Sequence, residues 1–234
     1  ACILLMKLPP TQQKKHAKNI LQDVRDGWKY LNETNTIKFT ITMLALISLF
    51  VLPFTTLIPV YAKDIFKGTA ATFGIIDSVI GLGAFSGAIF LASLKPERNL
   101  RKILAVNTVL FGVGLALFSY MRFYPAALVC AMLTGFGMMS QITISNTLIQ
   151  TTVSPHMRGR MISFYAMAFF GMQPVGGLIV GSISQWIGVP TTVLAQGCIA
   201  ILIGVLHFRF LKRNKLKTVL KNIQPIQPAE AAAS

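Results

Sequence analysis

Residues 123–153 read FYPAALVCAMLTGFGMMSQITISNTLIQTTV, without one charged side chain. A bilayer core of about 30 Å takes about 20 helical residues, so this run is long enough to cross it. It does not alternate with period two, as an outer-membrane strand would. Lipid offers backbone groups no partner outside their own helix, so the run reads as a spanning helix. Phe39 to Ala62 is a second uncharged run of the same kind. Working outward from these two, hydropathy marks six spans, about 38–62, 71–94, 102–121, 125–151, 160–184 and 189–211. The composition agrees: 53% of the 234 residues are hydrophobic, 12% are charged, and the mean hydropathy is +0.62. An average soluble domain carries about 25% charged residues. An ordinary soluble domain and intrinsic disorder are both excluded.

The formal net charge of +15 would point to nucleic acid in a soluble chain. Here its distribution points to a membrane and to no nucleic acid. Of the 22 basic residues, all but Lys63, Lys67 and Arg122 fall on one side of the six crossings. Positive charge concentrates in cytoplasmic loops, so both ends are expected in the cytoplasm. Tyr61, Tyr120, Phe123, Tyr124 and Trp186 mark the opposite interface.

Three regions follow. Residues 1–36 hold the end of an apolar helix and a cytoplasmic linker, 37–211 the six-helix bundle, and 212–234 a disordered tail. Within the linker, Ile20, Leu21, Val24, Trp28 and Leu31 share one helix face, as in a helix lying on the membrane surface or a solvated linker. The start, Ala-Cys-Ile-Leu-Leu-Met, has no basic region before its apolar run and is not a secretory signal. It is expected to continue an earlier helix, so the chain reads as part of a longer protein. Cys2, Cys130 and Cys198 have neither zinc spacing nor a disulfide pattern; no metal and no cofactor are expected.

Inside the spans, Asp77 is the one deep acid, either a proton carrier or a wetted residue near the outer interface. Ser140, Thr143, Thr147 and Gln150, with Asn146 beside them, form a polar stripe on one helix face. The stripe either lines a water-filled substrate cavity or bonds to a neighbouring helix. Gln141 and Ser145, on another face, suit the second role. Gly83-x-x-x-Gly87 and Gly177-x-x-x-Gly181 are close-packing motifs, for static contacts or for faces that slide. Pro53 and Pro174 are kink candidates.

Catalysis finds no support. An ATP-driven pump needs a phosphate-binding Gly-rich loop with Lys, absent here unless another chain supplies it. A serine intramembrane protease needs a His near its nucleophile. Ser86 is mid-span, whereas His16, His156 and His207 are at or outside the basic interface. A channel would call for a charged ring or a carbonyl filter, and neither stands out.

The most specific string is Thr151-Thr152-Val153-Ser154-Pro155-His156-Met157-Arg158-Gly159-Arg160, leading to Phe164-Tyr165 and Gln173-Pro174-Val175-Gly176-Gly177. It resembles the loop between helices ten and eleven of the major facilitator superfamily, in the bacterial transmembrane secretion effector branch of macrolide-efflux and enterobactin exporters. Leu57-Ile58-Pro59-Val60-Tyr61-Ala62, Gly81-Leu82-Gly83-Ala84 and Gly135-Phe136-Gly137-Met138-Met139 are similar to that branch too.

The resemblance implies an all-α, six-helix half of a twelve-helix transporter, built from two inverted three-helix repeats at about 37–121 and 125–211. The partner would be the N-terminal half of the same protein. The function implied is efflux of a small amphipathic compound, a drug or siderophore, by proton-coupled alternating access. The stripe would line the cavity, the glycine helices would slide on the other half, and Asp77 would couple protons. Arg158, Gly159 and Arg160 would form a cytoplasmic gate, contact anionic lipid or simply anchor the helix. The loop Lys95-Pro96-Glu97-Arg98-Asn99-Leu100-Arg101-Lys102 keeps the basic character of the family's gating motif but not its Gly-x-x-x-Asp opening.

Overall fold

The computed structural model describes residues 20–94 and 99–223, with side chains inside 22–213. The start of the linker, residues 95–98 of the basic loop and the last residues of the tail lie outside the described residues.

Helix α1 covers Ile20–Glu33. Six helices long and apolar enough to span a bilayer follow: α2 (Asn35–Ile65), α3 (Ala70–Ala92), α4 (Leu100–Tyr120), α5 (Tyr124–Thr152), α6 (Arg158–Ile187) and α7, whose span is Val189–Arg213. The six expected spans are all present. Helix α7 continues to Ile223, where the sequence led us to expect a disordered tail from 212. The reason is local: Leu216, Val219, Leu220 and Ile223 keep helical spacing, and the first proline after them is Pro225.

Local chemistry sets the breaks. Thr69 and Thr72 cap α3 reciprocally, with the Thr69 amide donating to Thr72 Oγ1 at 3.2 Å. The Asn99 side chain accepts from the Lys102 amide at the start of α4. Gly188, at φ +83°, alone separates α6 from α7. Helix α2 is irregular because Pro53 has no amide hydrogen. It tightens to a 3₁₀ turn at Leu52–Leu57 and widens to a π turn at Tyr61–Ile65. In α6 the irregularity sits ahead of the expected kink at Pro174, as a π turn at Met167–Gly171.

Packing follows two seams. Helix α5 lies along both α3 and α4, and α4 lies along α7; α2 packs on α6. Exchanging the first three spans for the last three converts the α3–α5 pairing into the α2–α6 pairing, as two inverted repeats require. Small residues bring these helices together. A Cβ on Gly83 would run into the Met132 carbonyl, and one on Gly135 into the Ile80 carbonyl. One on Gly112 would come within 2.6 Å of the Gly197 carbonyl.

Tyr61 differs from expectation. It is fully buried, not an interfacial belt residue, and its hydroxyl donates to the Ser119 carbonyl at 2.7 Å. The ring packs on Phe118, centroids 4.8 Å apart. A buried phenol finds a partner for its hydroxyl, and the loosened end of α2 turns this one inward. Tyr120, Phe123 and Trp186 remain exposed.

Candidate functional site

The polar stripe of α5 divides in two. Ser140 is fully buried and faces α3, where a Cβ on Gly87 would lie 3.2 Å from its Oγ. Thr143, Asn146 and Thr147 are half-buried and Gln150 is exposed. Within this group Thr147 Oγ1 donates to the Thr143 carbonyl at 2.9 Å, and Gln150 Nε2 to Asn146 Oδ1 at 2.7 Å. The Thr143 hydroxyl, the Asn146 amide nitrogen and the Gln150 amide oxygen take no part in those bonds. Donors and acceptors therefore line an open face some two turns long. On the other side of α5, Gln141 Oε1 accepts from Thr108 Oγ1 of α4 at 2.5 Å, both buried. That is an interhelical bond, the role its face suggested.

The glycine motifs also part ways. Gly83 and Gly87 are buried against α5. Gly177 meets only Thr56 Cγ2, at 3.8 Å, and Gly181 has nothing within 4 Å. The glycine that packs α6 is its neighbour Gly176, which lies against the Leu49 carbonyl and Pro53 of α2. The Gly177–Gly181 pair is thus not a close-packing motif within this bundle, because a Cβ on either glycine would come no nearer than 3.8 Å to another helix. In their most apolar stretches α3 and α6 are only 22% and 17% buried, against 50–56% for α2, α4 and α5. Asp77 lies on the exposed face of α3 with no ion pair among the described residues.

At the basic end, Arg160 stands in the first turn of α6 and reaches back to α1. It pairs with Asp23 Oδ1 at 2.5 Å and Asp26 Oδ2 at 3.6 Å. A Cβ on Gly27 would meet the Phe164 ring at 2.7 Å, and Leu31 is buried with Met157 and Met161. Tyr30 Oη accepts from the Ser154 side chain and amide, both at 3.4 Å, and these bonds hold its pKa below the ordinary phenol value. Helix α1 is therefore docked on the start of α6 and the preceding loop, not held by lipid alone, though Val24 and Trp28 stay exposed. Arg158 is exposed, and Gly159 has open space around it.

One polar residue escaped sequence reasoning. Phe54 N bonds to the Val51 carbonyl, which leaves the Phe50 carbonyl without its helical donor. Gln196 of α7, 2% exposed, supplies one, Nε2 to Phe50 O at 3.0 Å. Its signal was a lone Gln in an apolar helix five spans away from the proline that needs it.

The fold and its polar face define a multi-pass membrane protein of the major facilitator class. The chain belongs to the transmembrane secretion effector family, which matches residues 1–232. It is 22% identical to the multidrug efflux pump Tap of Mycolicibacterium fortuitum, over 80% of this chain and 45% of that one. It is 25% identical to the staphyloferrin A transporter of Staphylococcus aureus, over 70% and 41%. With the enterobactin exporter EntS of Salmonella typhi it shares 27%, over 59% and 33%. The fold matches half of the E. coli fucose:proton symporter FucP, with a TM-score of 0.66 and 16% identity over 89% of this chain. The chain thus spans half or less of these relatives, which are named as pumps, transporters and exporters and not as enzymes.

Proposed function

We propose that this chain forms the C-terminal half of a secondary active exporter, moving a small amphipathic compound such as a drug or siderophore by proton-coupled alternating access. The observation that carries this reading is the open polar face Thr143–Asn146–Thr147–Gln150 on a helix otherwise apolar enough to span a bilayer. Polar side chains within a span are costly against lipid, and a water-filled substrate path between two halves accommodates them. Ser140 lies outside the path, at the α3 contact.

The other half would be a six-helix bundle N-terminal to this one, meeting the exposed faces of α3 and α6 and the open Gly177–Gly181 surface. Rocking of the two halves would open the path to either side in turn. Asp77 would exchange the coupled proton from the α3 face. Arg160, held by Asp23 and Asp26, would tie the linker to the gate formed with Arg158 and Gly159. Both chain ends would face the cytoplasm of a bacterial cell, across its inner membrane.

The test is flux of a fluorescent amphipathic cation by the intact protein in liposomes under an imposed pH gradient. Saturable transport that collapses with a protonophore and is lost in Asp77→Asn is the expected result. Passive, unsaturable conductance would make the protein a channel, and flux requiring ATP would place it in a pump. Unchanged gradient-driven transport in Asp77→Asn would remove the coupling role of that residue alone.

A further inference from the structure

A cleft of about 750 Å³ lies at the basic end, between the start of α4 and the end of the α7 span, away from the polar face. Arg101 and Lys102 line it from α4, and Arg209 and Lys212 from α7, with Phe208 and Leu211 as its apolar wall. Among the described residues none of the four cations makes an ion pair. The first turn of α4, capped by Asn99, adds the positive end of a helix dipole. Among the described residues the four cations of this cleft have no carboxylate partner, and they repel one another unless an anion sits among them.

The surface continuing from the cleft into the span is apolar. On α4, Val106 is one turn beyond Lys102 on the same face and is 51% exposed. On α7, Leu202, Val205, Arg209 and Lys212 are spaced by three, four and three residues, so they form one stripe, and Leu202 is 58% exposed. A cationic head site thus stands directly over an exposed hydrocarbon surface. Beyond the cleft Gly112, Gly197 and Gly204 bring α4 and α7 into backbone contact.

From this juxtaposition we infer that the α4–α7 cleft is a binding site for the phosphate headgroup of an anionic phospholipid, with the acyl chains lying along Val106, Leu202 and Val205. The phosphate accepts from the two guanidiniums, which suit bidentate phosphate contact, while Lys102 and Lys212 add point charge. A soluble phosphate shares the head chemistry but leaves the apolar stripe unused.

The experiment is native mass spectrometry and lipid titration of the intact protein in nanodiscs, with phosphatidylglycerol as probe and phosphatidylcholine as reference. The expected result is one phosphatidylglycerol retained per protomer. Arg101→Gln with Arg209→Gln should lose that adduct, with the apparent Kd raised about tenfold or more. The control pair Lys29→Gln with Lys38→Gln removes the same charge from the same end and should keep it. The charge-keeping pair Arg101→Lys with Arg209→Lys separates a binding defect from misfolding: it keeps the point charge but loses the guanidinium fork, and should bind between the parent and the glutamine pair. Equal losses in the cleft and control pairs would mean a diffuse basic surface and overturn the site. No loss in the cleft pair would do the same. Displacement of the lipid by millimolar inorganic phosphate would assign the cleft to a soluble anion and overturn its lipid character.

Discussion

Helices α3 and α6 both spell Gly-x-x-x-Gly, both are poorly buried, and they use their glycines in opposite ways. In α3 the pair is pressed into α5, where a Cβ on Gly83 would overlap the Met132 carbonyl. In α6 the pair faces open space at Gly181, while Gly176, one residue before the motif, makes the contact with α2. The difference is one of rotation about the helix axis, about 100° per residue, and spacing alone does not carry it. A small-residue motif says that a backbone is smooth on one face; the neighbouring helices decide whether that face is already used.

Substitution should break or sharpen this contrast. The largest effect is expected from Gly83→Ala, which forces α3 away from α5 and costs about 2 kcal/mol, read as a lowered Tm of the purified protein. Gly181→Ala should leave stability within about 0.5 kcal/mol of the parent and lower transport instead. If both variants lost stability equally, the two motifs would not differ in use.

Next in size is the bond across the broken helix. Gln196→Leu leaves the Phe50 carbonyl without a donor inside the bundle and should cost about 1 kcal/mol in the same melting measurement. No change would mean that water or another group reaches that carbonyl. The smallest effect is expected at the linker. The Arg160 pair is partly exposed, with side-chain exposures of 23% and 41% for Arg160 and Asp23, so Arg160→Gln should cost about 0.5 kcal/mol globally. Hydrogen exchange should nevertheless quicken across α1 and not across α5. Uniform exchange in both would show that the pair does not hold the linker.

These residues show what sequence makes legible. The six spans were readable because length and hydropathy are properties of one segment and the membrane supplies a fixed thickness. Gln141 was readable as a packing residue because it falls off the stripe's face. Ser140 was not separable from Thr143, since both fit one helical face until α3 is placed beside them. Gly176 and Gln196 depend on Pro53, over a hundred residues earlier, and Arg160 depends on Asp23. Partnerships of that range come from the fold, and a single chain read in order does not display them. The direction of Tyr61 was lost similarly: an aromatic at the end of a span reads as interfacial until the π turn rotates it inward.

The central claim is that the open face of α5 lines a water-filled path, and thiol accessibility tests it most directly. With Cys2, Cys130 and Cys198 replaced, single cysteines at positions 140, 143, 147 and 150 of the intact protein in membranes are exposed to a membrane-impermeant maleimide. The account predicts labelling at 143, 147 and 150, slowed by transported compound, and protection at 140. Protection of all four would contradict it, leaving the stripe as a packing surface.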